Sequence, residues 1–288
     1  MFASSDLLKH VIYYADDIMI ATDKSLSHHI EIIEKVLDCF EKANIKIKAQ
    51  KMSIAKPEVE FLGIVWRKGM LHIPIARISA FKNMPVPKTP KKVKSFVCAM
   101  SYYRRFIPKF AELAKPLMDL SILHPSQFKW NQIHQKAFES MIDAIQVNTS
   151  LNLPDPSKPF FVQTDASDVA GAGRVFQKDD QGNELLMACV SRTFTRAERK
   201  YGTFRKEVLS LLYCLKSMDF FLRFASKLII LIDAKSIVFL RLCKESQGIL
   251  LRFSLEFPSM TLKSTMFLEW KTKFQTFYHD IIKISTVS

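Results

Sequence analysis

Of the six residues from Lys227 to Ile232, only the first is polar, and this run narrows most what the chain can become. A stretch without alternation must be covered on both faces, so it reads as the central strand of a sheet flanked by helices. The strand hands Asp233 to the sheet's C-terminal edge. Around it, Phe160 to Asp165, Val175 to Lys178 and Glu184 to Val190 read as further strands. Gly171 and Gly173 mark one turn and Asp179 to Asn183 another. Thr195-x-x-Glu198 has the form of a capping box, and a helix follows from about Thr203 to Met218 with Val208, Leu211, Leu212 and Leu215 inward. Pro154, Pro156 and Pro159 crowd the segment just ahead and place a domain boundary there, which suits a chain of 288 residues with room for about two domains.

The earlier half has a different rhythm. Val11 to Tyr14 and Ile18 to Ala21 form a hairpin around Asp16 and Asp17, and Ile30, Ile33, Leu37 and Phe40 define one face of a helix ending near Asn44. Ile45 to Lys48, Phe61 to Trp66 and Met70 to Ile73 read as strands, the last two turning at Lys68-Gly69. Thr89-Pro90 supplies an N-cap and a first-turn proline for a helix that buries Val93, Phe96, Val97 and Met100, and another helical run spans Ile133 to Ile145. The expected class is α+β.

Charge points to a partner. With 42 Lys and Arg against 28 Asp and Glu, the chain carries +14, which makes a polyanion the first ligand to consider. The excess is concentrated from Lys82 to Lys115, where nine basic residues face one acid, Glu112. Lys91, Lys92, Lys94, Arg104, Arg105 and Lys109 are the candidate phosphate contacts. Phe96, Tyr102, Tyr103, Phe106 and Phe110 are interleaved with them; rings in this pattern either stack on bases or form a helix's buried stripe, and the stripe is the better reading of the rings. Five cysteines without a CxxC pair argue against a disulfide framework or zinc site and suit a reducing compartment. No run reaches the 18 or so apolar residues of a membrane helix, so an intracellular protein, cytoplasmic or nuclear, is expected.

Two groups of acids carry chemistry. Tyr14-Ala15-Asp16-Asp17 forces two carboxylates together on a tight turn, where a divalent cation would relieve their repulsion. Alone, such a pair is usually a solvated turn. Asp165, Glu207 and Asp233 come from two strand ends and a helix, and would converge at one sheet edge; each taken singly reads as a turn residue or a first-turn helix acid.

In order along the chain, the Tyr-Ala-Asp-Asp hairpin, the amphipathic helix, Ala43-Asn44-Ile45-Lys46-Ile47 and Phe61-Leu62-Gly63-Ile64 resemble the end of a reverse transcriptase palm. Ser101-Tyr102-Tyr103-Arg104-Arg105-Phe106-Ile107, Ala114-Lys115-Pro116-Leu117 and Phe128-Lys129-Trp130 resemble the thumb and connection of Gypsy-type LTR retrotransposon Pol polyproteins. Thr164-Asp165-Ala166-Ser167, Ser191-Arg192-Thr193, Lys206-Glu207-Val208-Leu209 and Ile232-Asp233-Ala234-Lys235-Ser236 resemble the ribonuclease H domain that follows in the same elements.

The resemblance implies a partial palm over residues 1–80, thumb and connection over 81–150, a ribonuclease H-like mixed sheet flanked by helices over 151–260, and a divergent tail over 261–288. It implies Mg²⁺, with Mn²⁺ as a substitute, held by Asp16 and Asp17 in the palm and by Asp165, Glu207 and Asp233 in the second site. It also implies an RNA/DNA hybrid or duplex as partner, and leaves the oligomeric state open. The parent activity would be RNA-directed DNA synthesis with removal of the RNA strand. The chain is expected to begin inside the palm and therefore to lack polymerase activity, while weak hybrid cleavage is retained; the rival is a catalytically silent nucleic-acid-binding remnant. Arg174 falls where the family has an apolar strand residue, and a buried unpaired guanidinium there would be costly.

Overall fold

A computed structural model describes residues 7–22, 25–48, 52–222, 225, 227–232, 265–270 and 282–283. The chain divides into two compact units, Met1–Pro74 and Ile75–Ser288. In the first, β1 (Val11–Tyr14) and β2 (Asp17–Ile20) pair antiparallel with Tyr14 opposite Asp17. Ala15 takes a left-handed φ of 49° at the turn. Helix α1 (Leu26–Lys42) starts at Ser25, whose hydroxyl accepts from the His28 amide, and packs Ile32, Val36 and Phe40 with Leu7 and Val11. The observed face of α1 is rotated from the expected one: Ile30 and Leu37 are exposed, because the stripe spaced by four residues from Ile32 meets the hairpin.

After α1, the expected strand Ile45 to Lys48 is irregular. Asn44 adopts φ 53°, the Ile45 amide returns to the Phe40 carbonyl, and Ile45 and Ile47 stay exposed with no described strand beside them. The following meander comprises β3 (Glu58–Phe61), β4 (Ile64–Arg67) and β5 (Met70–His72). The Lys68-Gly69 turn forms as expected, with φ of 48° and 72°. A second turn at Leu62-Gly63 divides what the sequence presents as one strand, and there too both residues have positive φ.

In the second unit, α2 (Ile75–Lys82), α3 (Pro90–Tyr102), α4 (Phe110–Ser121) and α5 (Gln132–Val147) share an aromatic core. Phe96 meets Phe81 and Phe138, and Tyr103 meets Phe81 and Phe106. Thr89 caps α3 as expected, accepting from the Lys92 amide, and Val93, Phe96, Val97 and Met100 are buried. Of the interleaved rings, Phe96, Tyr103, Phe106 and Phe110 are core residues and Tyr102 is exposed.

The six-stranded sheet has the order β12-β11-β10-β7-β8-β9, from β7 (Phe160–Ala166), β8 (Ala170–Lys178), β9 (Glu184–Thr193), β10 (Lys227–Ile232), β11 (Thr265–Trp270) and β12 (Ile282–Lys283). The apolar run is thus the interior strand β10, parallel to both β7 and β11. A short β6 (Ser150–Asn152) is tied to β9 by the Asn152 amide donating to the Leu186 carbonyl. Helix α6 (Thr203–Leu222) covers one face through Cys214, Leu215, Met218 and Leu222; Phe161, Phe176 and Ile229 cluster apart from that core. Gly171 and Gly173 lie within β8 and not in a turn. A Cβ on Gly171 would collide with Ser210, and one on Gly173 would lie 2.5 Å from Cys214 Sγ. The two glycines let α6 settle directly on the strand.

Arg174 has partners. Its Nε donates to Gln163 at 2.8 Å, an N–H group lies 2.7 Å from Glu184, and the guanidinium rests on the Phe176 ring. Cys189 and Cys214 are buried, and burial pushes both thiols up to about 12. Cys98 is exposed.

Candidate active site

Asp165 stands near the C-terminal end of β7, paired across to Ala172 of β8, with its carboxylate in solvent. Glu207 lies on the second turn of α6, where its Oε2 is shielded from solvent. Its placement depends on two anchors. The close seat at Gly171 and Gly173 draws the helix down, and Lys206 reaches 2.8 Å to Asp168 in the turn between β7 and β8. The Lys206 stem is buried while Asp168 is fully exposed, and the bond holds the Asp168 carboxyl below its ordinary range. The entrance to α6 is fixed from the other side. Arg192 of β9 grips Glu198 with two bonds of 2.9 Å, and the Thr195 amide donates to the same carboxylate. The reciprocal bond from the Glu198 amide to the Thr195 hydroxyl completes the expected box, although it closes a single tight turn ahead of α6.

A cation already attends these acids. Lys109 Nζ donates to Asp165 Oδ2 at 2.5 Å. That bond, with the charges of Asp165, Glu112 and Glu207, raises the lysine's pKa against the opposing effect of burial. The segment before α4 is bonded to β9, which positions Lys109: the Cys189 amide donates to the Arg105 carbonyl, Arg104 donates to the Ser191 carbonyl, and the Ala111 amide donates to the Ser191 hydroxyl.

The sequence-derived candidates therefore part company. Asp165 holds the Lys109 ammonium, Glu207 lies on α6, which packs against the strand of Asp165, and Asp233 lies outside the described residues. Asp16 and Asp17 are exposed on their hairpin in the first unit. Lys91, Lys92 and Lys94 project to solvent from the start of α3, and Arg105 is exposed. Arg104 is committed to Ser191 and to the face of Phe110, and Lys109 to Asp165. Sequence reasoning missed Ser191 and Lys206 as anchors; the alternating glycines of β8 were visible as residues, but only a helix above them explains their spacing.

Asp165 and Glu207 offer carboxylate oxygens, the donors a hard divalent cation takes, and Asp165 already holds an ammonium group. Among the described residues, no group of three or more His, Cys, Asp or Glu side chains gathers to hold a metal.

Residues 130–230 match the family model for the RNase H-like domain found in reverse transcriptase, and residues 3–66 match that for reverse transcriptase (RNA-dependent DNA polymerase). The retrovirus-related Pol polyprotein from transposon opus of Drosophila melanogaster is 30% identical over 236 residues, covering 78% of this chain and 23% of that protein. The chain belongs to the Gypsy-type retrotransposon Pol family.

This Pol region comprises the C-terminal part of the reverse transcriptase and the RNase H-like domain. The Pol polyprotein from transposon gypsy of the same fly is also 30% identical, over 78% of the chain and 22% of its own length. The Tf2-3 polyprotein of Schizosaccharomyces pombe is 30% identical over 72% of the chain and 15% of its own length. The region thus spans about a quarter or less of these relatives. Its fold resembles the foamy viral protease-reverse transcriptase solved with double-stranded DNA, with a TM-score of 0.73 and 24% identity over 94% of this chain and 48% of that one. The same viral protein solved with an RNA/DNA hybrid gives 0.73 and 22% identity over 98% of this chain and 39% of that one. Among the described residues, no helix is long and apolar enough to cross a membrane.

Proposed function

We propose that the second unit's acid site cleaves the RNA strand of an RNA/DNA hybrid, with Asp165, Glu207 and Asp233 as the metal-holding carboxylates. The observation that carries this reading is Asp165 near a strand end with a cation on its carboxylate, on the strand against which α6, the helix of Glu207, packs. Mg²⁺ bound to such carboxylates supplies an activated water and neutralises charge on the departing oxygen. Asp165 and Glu207 would hold that cation, and the close seat of α6 on Gly171 and Gly173 supports this reading by fixing the helix that carries Glu207. No protein nucleophile is required.

In the same reading, residues 1–80 form the palm part, with Asp16 and Asp17 its carboxylates, residues 81–150 the thumb and connection, residues 151–260 the ribonuclease H-like domain and 261–288 a divergent tail. Lys91, Lys92, Lys94 and Arg105 offer the solvent-facing charge for phosphates of the duplex. The test is cleavage of a hybrid by the purified chain in Mg²⁺. Asp165→Asn should abolish cleavage while hybrid affinity stays near that of the parent, because phosphate contacts lie elsewhere. Cleavage that survives the substitution removes Asp165 from the site. Hybrid binding without cleavage by the unaltered chain favours the silent binding remnant.

A further inference from the structure

Lys109 is an unusual residue to find on a candidate metal ligand. Its Nζ lies 2.5 Å from Asp165 Oδ2, and the negative charges of Glu112 and Glu207 reach it as well. Its backbone is left-handed, with φ 53° and ψ 29°, a conformation that glycine and asparagine adopt with less strain than lysine. The root of the side chain is held on both sides. Ahead of it, Arg104 donates to the Ser191 carbonyl and the Arg105 carbonyl accepts from the Cys189 amide; just after it, the Ala111 amide donates to the Ser191 hydroxyl. The fold thus spends a strained position on aiming an ammonium group at Asp165, where glycine would serve the backbone better.

We propose that Lys109 is the resident counter-cation of the acid site, so that a divalent cation binds Asp165 only by displacing the Lys109 ammonium. The proposal rests on the reading of Asp165 and Glu207 as metal-holding acids. A divalent cation and the Lys109 ammonium repel each other across one carboxylate, so lysine and metal compete for Asp165. Both side chains are about half exposed, at 52% and 57%, so solvent screens their attraction and the lysine can be displaced. Lys109 therefore weakens metal binding by a small factor and does not close the site. In the absence of metal it lowers the net negative charge that Asp165, Glu207 and Glu112 would otherwise leave there.

The decisive experiment measures Mn²⁺ binding to the full chain, following free Mn²⁺ by electron paramagnetic resonance, without any nuclease assay. Lys109→Gly suits the left-handed backbone and adds no donor atom, so it should fold and bind Mn²⁺ about threefold to fivefold more tightly at the Asp165-dependent site. Lys109→Arg keeps the charge and should stay near the parent affinity. Asp165→Asn should remove that site in either background. Equal affinity of the parent and Lys109→Gly, with Asp165→Asn still removing the site, would overturn the counter-cation role and leave the metal-site reading standing. Absence of any Asp165-dependent Mn²⁺ from parent and variants alike would overturn both.

Discussion

Glu198 accepts two bonds from Arg192 and one from the Thr195 amide, and the guanidinium beside it holds its carboxyl down to about 2 from an ordinary 4.5. A depressed folded-state value means stability that is present above pH 4.5 and lost as the pH falls toward 2. Both partners are mostly shielded, so after allowance for screening Glu198→Gln should cost about 1–2 kcal/mol at neutral pH. Denaturant melts of the two proteins should converge as the pH is lowered through that window. Arg104 and Lys92 make a second residue-scale contrast. Arg104→Ala should cost about 1–2 kcal/mol, through a lost bond to Ser191 and the bared face of Phe110, whereas Lys92→Ala should leave the melting temperature nearly unchanged and weaken duplex binding. Both residues look alike in the sequence, as cations among aromatics. What separates them is whether a carbonyl happens to lie within reach, and residue type carries no such information. The same limit applied to Arg174, whose partners Gln163 and Glu184 come from neighbouring strands.

Gly171 and Gly173 hold their element-scale importance through the face they turn to α6. Gly173→Ala would set a methyl group 2.5 Å from Cys214 Sγ and 2.9 Å from Cys214 Cβ, so the helix must shift. The expected loss is about 1–3 kcal/mol, read by denaturant unfolding, with a larger proportional loss of the proposed hybrid cleavage because Glu207 rides on α6. Cys214→Ala in the same chain should restore part of the stability by removing the sulfur. The strand β10 was legible because a short, isoleucine-rich apolar run suits a strand covered on both faces, and α3 because Thr89 and Pro90 announce its start. Helix α4 was not, since Pro116 lies inside it and hides the pattern; burial of Phe110, Ala114, Leu117 and Leu120 outweighs the missing backbone bond. Helix α1 shows the intermediate case. Its existence was legible, but which of two apolar stripes turns inward depends on Leu7 and Val11, and periodicity within the helix is blind to them.

At the scale of the whole chain, the +14 charge is the quantity that experiments on nucleic acid will register first. Duplex affinity should fall with salt at a logarithmic slope of about −0.9 for each phosphate neutralised, with little dependence on base sequence. Replacing Lys91, Lys92 and Lys94 together by Ala should flatten that slope by roughly one unit for each phosphate no longer neutralised. Filter binding between low and moderate salt is sufficient, and an unchanged slope would place the interface elsewhere. Asp165 and Glu207 stand near the end of β7 and near the start of α6, two elements the sequence announces, while their grouping with Asp233 came from the resemblance. The bond of Asp165 to Lys109, 56 residues earlier, follows from tertiary packing alone.

The buried thiols give this chain an internal clock. With their ionisation pushed up to about 12, Cys189 and Cys214 are almost wholly protonated at pH 8, roughly one thiolate in ten thousand, and iodoacetamide should pass them by while it modifies exposed Cys98. Cys214 becomes reactive only when α6 lifts from β8. A brief alkylation pulse during refolding, followed by peptide mass mapping, would time-stamp the docking of that helix, with Cys98 in the same sample recording the dose of reagent.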